Sequence, residues 1–176
     1  MQFGTYPATG RALERNITCG FGIDTICSAG TDLFSEMRLA LAAERSRANA
    51  QALARGERVP TVALHQRDML RLATIDGARV WNLDSETGSL APGKQGDVAV
   101  VDMGSPHLDG VDDPVASLVL GANPADVEHV FVGGNIVKRD YKLVGSHVQK
   151  ARDLMHESRK NVLERFQKQQ SAAKTR

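Results

Sequence analysis

The chain has 176 residues, enough for one domain with a hydrophobic core or for parts of two, but too few for a complete (β/α)8 barrel of roughly 250 residues. Apolar residues make up 41% and charged residues 24%, and the net charge of +1 favours neither nucleic acid nor a membrane surface as partner. No apolar run approaches the ~20 residues of a membrane span, the first residues lack the pattern of a secretion signal, and the two cysteines make no disulfide framework. We therefore expect a cytoplasmic protein.

One acid follows the first predicted strand. Residues Ile17–Ile23 are apolar and rich in glycine, which predicts a buried strand with close neighbours on both sides, and Asp24 comes directly after it. A loop of small residues leads to a long helix predicted from Leu33 to about Arg55, with Asp32 as N-cap and Gly56 as stop. Barrel enzymes keep their catalytic groups at the carboxyl ends of strands. Asp24 is therefore the leading candidate for a catalytic residue.

Four apolar residues recur at helical spacing along the long helix: Leu33, Met37, Leu41 and Ala48. Their pattern predicts one buried face. The charged residues are expected to lie away from that face; they are Arg38, Glu44, Arg45 and Arg47.

The remaining elements change in character along the chain. Helices are predicted over Pro7–Arg15, His65–Ala73 and His147–Gln167, and Gly77 is expected to interrupt the second before a short piece over Ala78–Leu83. Turn residues then become dense over 84–97, the expected boundary to a small β domain. A strand is predicted over Asp97–Asp102, and Gly133-Gly134-Asn135 predicts a hairpin between Val127–Val132 and Ile136–Lys138. Asp112-Asp113-Pro114 is predicted to begin a turn.

Three segments stand in a distinctive order. Gly22-Ile-Asp24 precedes Asp32-Leu-Phe-Ser-Glu-Met-Arg38, and Leu70-Arg-Leu-Ala-Thr-Ile-Asp-Gly-Ala78 comes next. The third segment opens the β region and is Gly88-Ser-Leu-Ala-Pro-Gly-Lys-Gln-Gly-Asp-Val-Ala-Val-Val-Asp102. Together they resemble the C-terminal part of the amidohydrolase superfamily, in the branch with cytosine and guanine deaminases and triazine chlorohydrolases. The resemblance covers about residues 3–140. Gly96 departs from the alanine usual there, and we expect only a small effect.

The resemblance implies an α/β fold. Residues 1–83 would form the end of a TIM-like (β/α)8 barrel, with its last strand and flanking helices. Residues 84–145 would form part of a composite β-sandwich domain, and residues 146–176 a C-terminal helix and polar tail.

The resemblance also implies a hydrolase with one zinc or iron ion that acts on a C–N or C–Cl bond of a small nitrogen heterocycle. In the family, the acid that ends the last barrel strand contacts the metal and takes a proton from the attacking water. Carried over, Asp24 is both the catalytic residue and a metal-site residue. The loop Thr25–Thr31 would line the mouth of the pocket.

The family's other metal ligands have no counterpart in this sequence. There is no His-x-His, and none of the five histidines matches a ligand position; they are His65, His107, His129, His147 and His156. We therefore expect the chain alone to be inactive and not to bind the metal, and to need an N-terminal barrel partner. The alternative is a non-catalytic fragment of a truncated or split gene, which acts only by association with such a partner. A homo-oligomer is also compatible with the sequence.

Other potentially reactive residues have plainer interpretations. The spacing of Cys19 and Cys27 is not that of a zinc-binding pair, which favours their interpretation as small side chains that fill space in the core. Ser28 and Ser35 have no identifiable base, which favours loop and helix-entry hydrogen bonds. The C-terminal helix mixes basic and acidic residues around an apolar stripe, which favours a docked helix with a solvated face over a nucleic-acid contact.

Overall fold

The computed structural model describes residues 6–23, 30–58, 61 and 64–174, with side chains up to residue 171. The chain divides into two compact units, one that ends at Tyr141 and one that begins at Lys142. Helices come first along the first unit, and an antiparallel sheet with a further helix between its strands follows, so the predicted mixture of helix and strand is confirmed. Within the described ranges, no helix is both long and apolar enough to cross a membrane.

The first two helices form where the sequence predicts them. Helix α1 covers Thr9–Leu13 and helix α2 covers Leu33–Ala54. An Asp32 carboxylate oxygen caps α2 by accepting the N–H of Ser35 at 2.9 Å. The helix stops before Gly56, whose φ of +69° is a left-handed conformation that glycine adopts without strain.

The next two helices meet at a break that was predicted in the wrong place. Helix α3 covers Gln66–Ala73 and helix α4 covers Ile75–Val80, so α4 begins before Gly77 and includes it. The break lies at Thr74, whose φ of −129° and ψ of −100° are not helical. A Cβ atom on Gly77 would lie 3.1 Å from the Leu72 carbonyl oxygen. The glycine therefore permits the sharp passage between the helices rather than ending one of them.

The predicted turn at Asp112-Asp113-Pro114 is wrong, because these residues open a helix. Helix α5 covers Pro114–Leu120. Asp113 is its N-cap and accepts the N–H of Val115 at 2.9 Å, while Pro114 occupies the first helical turn, where its missing N–H leaves no bond unmade. Turn and helix-start signals share the same residue types, and only the apolar run after Pro114 distinguishes them.

The core of the first unit lies between α2, α3 and α5. Its buried residues are Met37, Ala40, Leu41, Met69, Leu72 and Val119. Leu13 from α1 and Phe21 pack against this cluster. The packing fixes α1 and the segment after it on the surface of α2 and α3.

The predicted buried face of α2 is only partly right. Met37 and Leu41 are buried, but Leu33 is 41% exposed. Glu44, expected among the solvated charges, is only 4% exposed. It follows Leu41 by three residues and therefore lies on the same helix face. The guanidinium of Arg47, one turn further on, pairs with the Glu44 carboxylate and offsets part of the free-energy cost of burying that charge.

The predicted strand over Ile17–Ile23 does not form: residues 17–23 pair with no strand in the described part of the chain. Half-buried and exposed residues nevertheless alternate from Cys19 to Ile23, as they do in an extended chain. A strand requires a neighbour that supplies the opposite half of each hydrogen-bond ladder. The expectation of close neighbours on both sides is also wrong at Gly22, where an added Cβ would meet nothing within 4 Å.

The sheet of the first unit follows the predicted hairpin. Strands β1 (Val98–Val101), β2 (Val127–Val132) and β3 (Asn135–Arg139) lie side by side and antiparallel. Gly133 and Gly134 connect β2 to β3 with φ values of +55° and +76°, as a tight hairpin turn requires. Val100 pairs with His129 but Val101 pairs with Val127, so Glu128 is an extra residue in a β-bulge.

The second unit contains a short strand β4 (Lys142–Leu143) and helix α6 (His147–Lys174), which is longer than predicted. Five apolar residues of α6 are 46–62% exposed; they are Leu154, Met155, Val162, Leu163 and Phe166. The docking of this helix stays a prediction.

Candidate active site

The predicted catalytic residue lies outside the described residues. Asp24 falls in the undescribed stretch 24–29, together with Cys27 and Ser28. The two ends of that stretch, Ile23 and Gly30, are described. The described part of the candidate site therefore consists of the segments on either side of residues 24–29.

The incoming segment is held against the corner between α3 and α4. A Cβ atom on Gly20 would lie 2.8 Å from the Cα of Gly77, so the two backbones approach as closely as two glycines allow. Cys19 and Phe21, on either side of Gly20, pack against the core. Burial, and then the nearby charge of Asp76, raise the pKa of the Cys19 thiol. A raised pKa makes the thiol unreactive, which agrees with its interpretation as a residue that fills space in the core.

The outgoing segment is fixed by the start of α2. The Ser35 hydroxyl donates to an Asp32 carboxylate oxygen at 2.9 Å, as the helix-entry interpretation predicts. A Cβ atom on Gly30 would lie 2.3 Å from the Ser35 Cβ. The backbone at Gly30 is therefore in contact with the first turn of α2. The geometry anchors both ends of the stretch that contains Asp24.

Glu36, in the first turn of α2, was not singled out by sequence reasoning. Its Oε1 atom is buried and accepts no hydrogen bond from any residue in the described ranges. A buried acceptor without a donor is costly, by roughly 1–3 kcal/mol. The sequence signal for Glu36 was its place in the first of the three motifs. A charged side chain in the first turn of a helix is usually solvated, however, so the motif alone did not indicate that Glu36 is buried. Arg38, two residues later, donates to the Ala122 carbonyl at 2.7 Å and connects α2 to the end of α5.

The segment that leads into the first motif meets the second and third motifs around α4. Gly20, two residues before the first motif, contacts Gly77 of the second. The third contributes Gly88, where an added Cβ would lie 2.7 Å from the Ala78 Cβ and 3.0 Å from the Ile75 Cα. Segments that are far apart in sequence are thus packed at van der Waals distance.

We predict that Gly88→Ala destabilises the first unit more than Gly110→Ala does. Both glycines have φ near +80°, but an added Cβ meets nothing within 4 Å at Gly110. Both variants carry the left-handed strain, whereas only Gly88→Ala adds a clash, worth about 1–3 kcal/mol more. Urea denaturation measures the difference, and equal losses would contradict the packing of the motifs.

Lys94 and Asp97 organise the turn of the third motif. The Lys94 ammonium donates to the Ser89 hydroxyl at 2.7 Å and to the Thr87 carbonyl at 3.3 Å. Asp97 accepts the N–H of Gly133 at 2.7 Å and the hydroxyl of Thr87 at 2.8 Å. These two bonds, that of Gly133 foremost, lower the pKa of the Asp97 carboxyl. The carboxylate thereby joins the turn to the hairpin.

We predict a pH-dependent loss of stability for Asp97→Asn. The folded pKa lies below the unfolded value of about 3.9, so the carboxylate stabilises the fold above that pH and ceases to do so as the pH falls through the folded pKa. The difference between wild type and variant is therefore largest near neutrality and vanishes in acid. Asp112→Asn, at an exposed position in the loop before α5, is the control. A difference that persists below the folded pKa would contradict this origin.

The bulge in β2 brings together the three potential metal ligands that the described residues offer as a cluster. Ligand atoms of Glu128, His129 and Asp140 lie within 4.8 Å of one another. However, His129 Nδ1 accepts the backbone N–H of Asp140 at 3.3 Å, so the neutral ring carries its proton on Nε2, which faces a Glu128 carboxylate oxygen at 3.5 Å. A metal would need the lone pair of that same nitrogen. The cluster therefore fits a hydrogen-bonded corner of the sheet rather than a metal centre.

His107 belongs to a second polar cluster. Its Nε2 atom lies 3.1 Å from an Asp126 carboxylate oxygen, and the side chain of Asn123 donates to the same carboxylate at 2.6 Å. Burial acts to raise the pKa of Asp126, but the hydrogen bonds from Asn123 and His107 outweigh it, and the pKa is lowered. Ser105 contacts Asp126 and not His107, so these residues do not form a catalytic triad.

Residues 5–137 match the profile of the Amidohydrolase family. A 5-methylthioadenosine/S-adenosylhomocysteine deaminase from Pyrococcus abyssi is 32% identical over 85% of this chain and 32% of its own. A 5'-deoxyadenosine deaminase from Methanosarcina mazei is 36% identical over 84% of this chain and 31% of its own. The chain thus spans about a third of the length of the curated relatives it matches.

Two solved structures share the fold of the chain. A zinc-bound adenosine deaminase from Xanthomonas campestris superposes with a TM-score of 0.74 over 88% of this chain and 34% of its own, at 24% identity, which is a likeness of fold alone. An atrazine chlorohydrolase from Arthrobacter aurescens, complexed with zinc, has a TM-score of 0.65 at 26% identity over 78% of this chain and 29% of its own. The family match includes helices α1–α5 and the three motifs.

Proposed function

Because this chain belongs to the amidohydrolase family, we propose that it forms the C-terminal part of a metal-dependent hydrolase that deaminates a nitrogen heterocycle. Water would replace an exocyclic amino group, and ammonia would leave. The observation that carries this proposal is the identity to two enzymes named as deaminases of adenosine-type compounds. The chlorohydrolase is less similar to this chain, so we favour cleavage of a C–N bond over a C–Cl bond.

The proposed architecture follows the family resemblance. Residues 1–83 would complete a barrel, residues 84–145 would belong to a composite β-sandwich domain, and residues 146–176 would add the C-terminal helix and tail. The alternating burial from Cys19 to Ile23 supports the assignment of 17–23 as a barrel strand once a neighbouring strand pairs with it.

Asp24 is the residue we propose for the chemical step. As a carboxylate it would accept a proton from the attacking water, a role that requires an acid placed at the carboxyl end of its strand. The loop Thr25–Thr31 would line the mouth of the pocket. The orphaned Oε1 atom of Glu36, one turn into α2, is an acceptor through which a segment from elsewhere in the protein would fix the start of this helix.

The residues of this chain do not fit a complete metal site. The sequence has no His-x-His, and the three-group cluster of the described residues holds its imidazole proton toward Glu128. A catalytic zinc ion takes three protein ligands and leaves one position open. We therefore propose that the histidine ligands, and much of the substrate pocket, come from an N-terminal barrel segment. The zinc in the atrazine chlorohydrolase structure supports zinc over iron.

A chimera tests the proposed function. Residues 5–137 would replace the matching segment of the Methanosarcina mazei 5'-deoxyadenosine deaminase. Ammonia release from 5'-deoxyadenosine would support a catalytic C-terminal part, and chloride release from atrazine would instead favour the C–Cl reaction. A folded chimera that is inactive on both would support the alternative of a non-catalytic fragment that acts by association alone.

A further inference from the structure

The turn before α5 contains an aspartate followed by a glycine, Asp109-Gly110. The turn begins at Ser105, whose carbonyl accepts the N–H of Leu108 at 2.8 Å and that of Asp109 at 3.0 Å. Leu108 is buried, and its own carbonyl accepts the hydroxyl of Ser117 in α5 at 2.6 Å. The chain is therefore held in place up to Asp109, whereas Asp109 and Gly110 are themselves exposed to solvent.

The side chain of Asp109 lies against the backbone nitrogen of the next residue. The Gly110 N–H donates to Asp109 Oδ1 at 2.8 Å. The carboxyl carbon is bonded directly to that oxygen, so a small rotation of the side chain presents it to the nitrogen. Groups held close together in a suitable orientation react far faster than the same groups free in solution.

Glycine leaves this nitrogen open to reaction. Gly110 has a φ of +79°, which glycine adopts without strain. A Cβ atom added there would meet no described atom within 4 Å, so neither a side chain nor a neighbouring segment crowds the peptide. The peptide between Asp109 and Gly110 can therefore turn as closure of a ring requires.

A second pair of the same residue types, Asp76-Gly77, has the opposite surroundings. Asp76 is 8% exposed, and its carboxylate oxygens accept from Arg79 at 2.6 Å and from Arg71 at 3.0 Å. Both residues lie within α4, and Gly20 packs on the Cα of Gly77. Closing a ring there would break two ion pairs and rotate a helical peptide that is packed against another backbone. This second pair is therefore protected.

We propose that Asp109 is a modification site, at which the aspartate converts spontaneously to isoaspartate. The Gly110 nitrogen attacks the carboxyl carbon of the protonated Asp109 side chain. A C–N bond forms, a C–O bond breaks, and the proton of the nitrogen leaves with the hydroxyl group as water, which gives a five-membered cyclic imide. Water then adds to the main-chain carbonyl carbon of the imide and opens it to isoaspartate, or to the side-chain carbonyl carbon and restores aspartate. Nothing is oxidised or reduced, and isoaspartate has the mass of aspartate.

The modification changes the main chain at the entry to α5. It inserts the methylene group of the aspartate side chain into the backbone between Leu108, which is bonded to Ser117, and Asp113, the N-cap of α5. The former main-chain carboxyl becomes a side group. This isoaspartyl carboxyl is the chemical group that methyltransferases of isoaspartyl residues esterify with S-adenosylmethionine. The inference goes beyond the proposed function and does not depend on it.

Prolonged incubation of the full chain in neutral buffer tests the proposal. Proteolysis, chromatographic separation of the isomeric peptides and mass spectrometry then measure isoaspartate at each position. We expect it to form at least about 10-fold faster at Asp109 than at Asp76, which corresponds to a barrier lower by about 1.4 kcal/mol. Incubation in urea is the control, because an unfolded chain loses the protection of α4 and both positions should then react at similar rates.

Two variants give a second readout. Asp109→Asn forms the same imide with loss of ammonia instead of water, so hydrolysis raises the mass of the intact chain. Asp112→Asn, in the same loop but followed by Asp113 rather than by glycine, is the matched control and should keep its mass. Absence of isoaspartate at Asp109, equal rates at the two positions of the folded chain, or a constant mass of the Asp109→Asn chain would overturn the proposal.

Discussion

Replacing Asp24 by asparagine in the chimera lowers the rate of ammonia release by about 10²–10⁴-fold, the usual contribution of a positioned acid–base group. Asparagine keeps the size of the side chain and most of its hydrogen bonds, but it cannot accept a proton from water. The loss is expected mainly in kcat, because the proton moves in the chemical step.

Asp112→Asn is the control for this prediction. It removes one carboxylate from an exposed loop before α5, so it changes the net charge equally without touching the proposed site. We expect its kcat and KM to match those of the parent chimera. A folded Asp24→Asn chimera with undiminished kcat would show that another group accepts the proton.

Leu41→Ala has the largest expected effect on stability. Leu41 is 2% exposed and belongs to the core cluster with Met37, Met69 and Val119, which come from three helices. Truncation loses buried apolar surface and leaves a cavity among residues that cannot close it, which lowers the free energy of unfolding by about 2–5 kcal/mol.

Leu39→Ala is the matched control, since Leu39 lies on the same helix and is 46% exposed. It undergoes the same chemical change with little loss of packing, and we expect less than about 1 kcal/mol. Urea denaturation of both variants gives the comparison. Similar losses for the two would mean that α2 does not pack on α3 and α5 through this face.

Local signals predicted the elements whose causes are local. Asp32 and Gly56 bound α2 because a carboxylate satisfies free N–H groups at one end and a left-handed glycine turns the chain at the other. Gly133-Gly134 makes the hairpin because two positive φ values are needed in succession. Each of these outcomes depends on residues within one turn of the signal.

The errors in the fold prediction have causes that are distant in sequence. The segment 17–23 is apolar, and exposure alternates from Cys19 to Ile23, but it forms no ladder, because pairing depends on another strand. The chain breaks at Thr74 rather than Gly77, and the glycine serves instead for the close approach of Gly20 and the Leu72 carbonyl oxygen. The error at α5 is local instead, because aspartate and proline begin both turns and helices.

The site was predictable to the extent that its residues stand in motifs. The second and third segments that suggested the family pack together around α4 through Gly88, and Gly20, two residues before the first segment, contacts Gly77 there; no motif alone reveals these contacts. Glu36 and Glu44 were missed because a helical glutamate is usually solvated, and burial depends on what crosses the helix. Buried acceptors without donors are visible only in three dimensions.

Metal content of the purified proteins tests the central claim most directly, namely that this chain brings Asp24 to a metal site whose other ligands lie elsewhere. Elemental analysis should find no stoichiometric zinc or iron in the chain alone. The chimera should contain about one zinc ion per molecule. About one metal ion per molecule of the chain alone, lost in Asp24→Asn, would contradict the account, because the chain would then complete the site by itself.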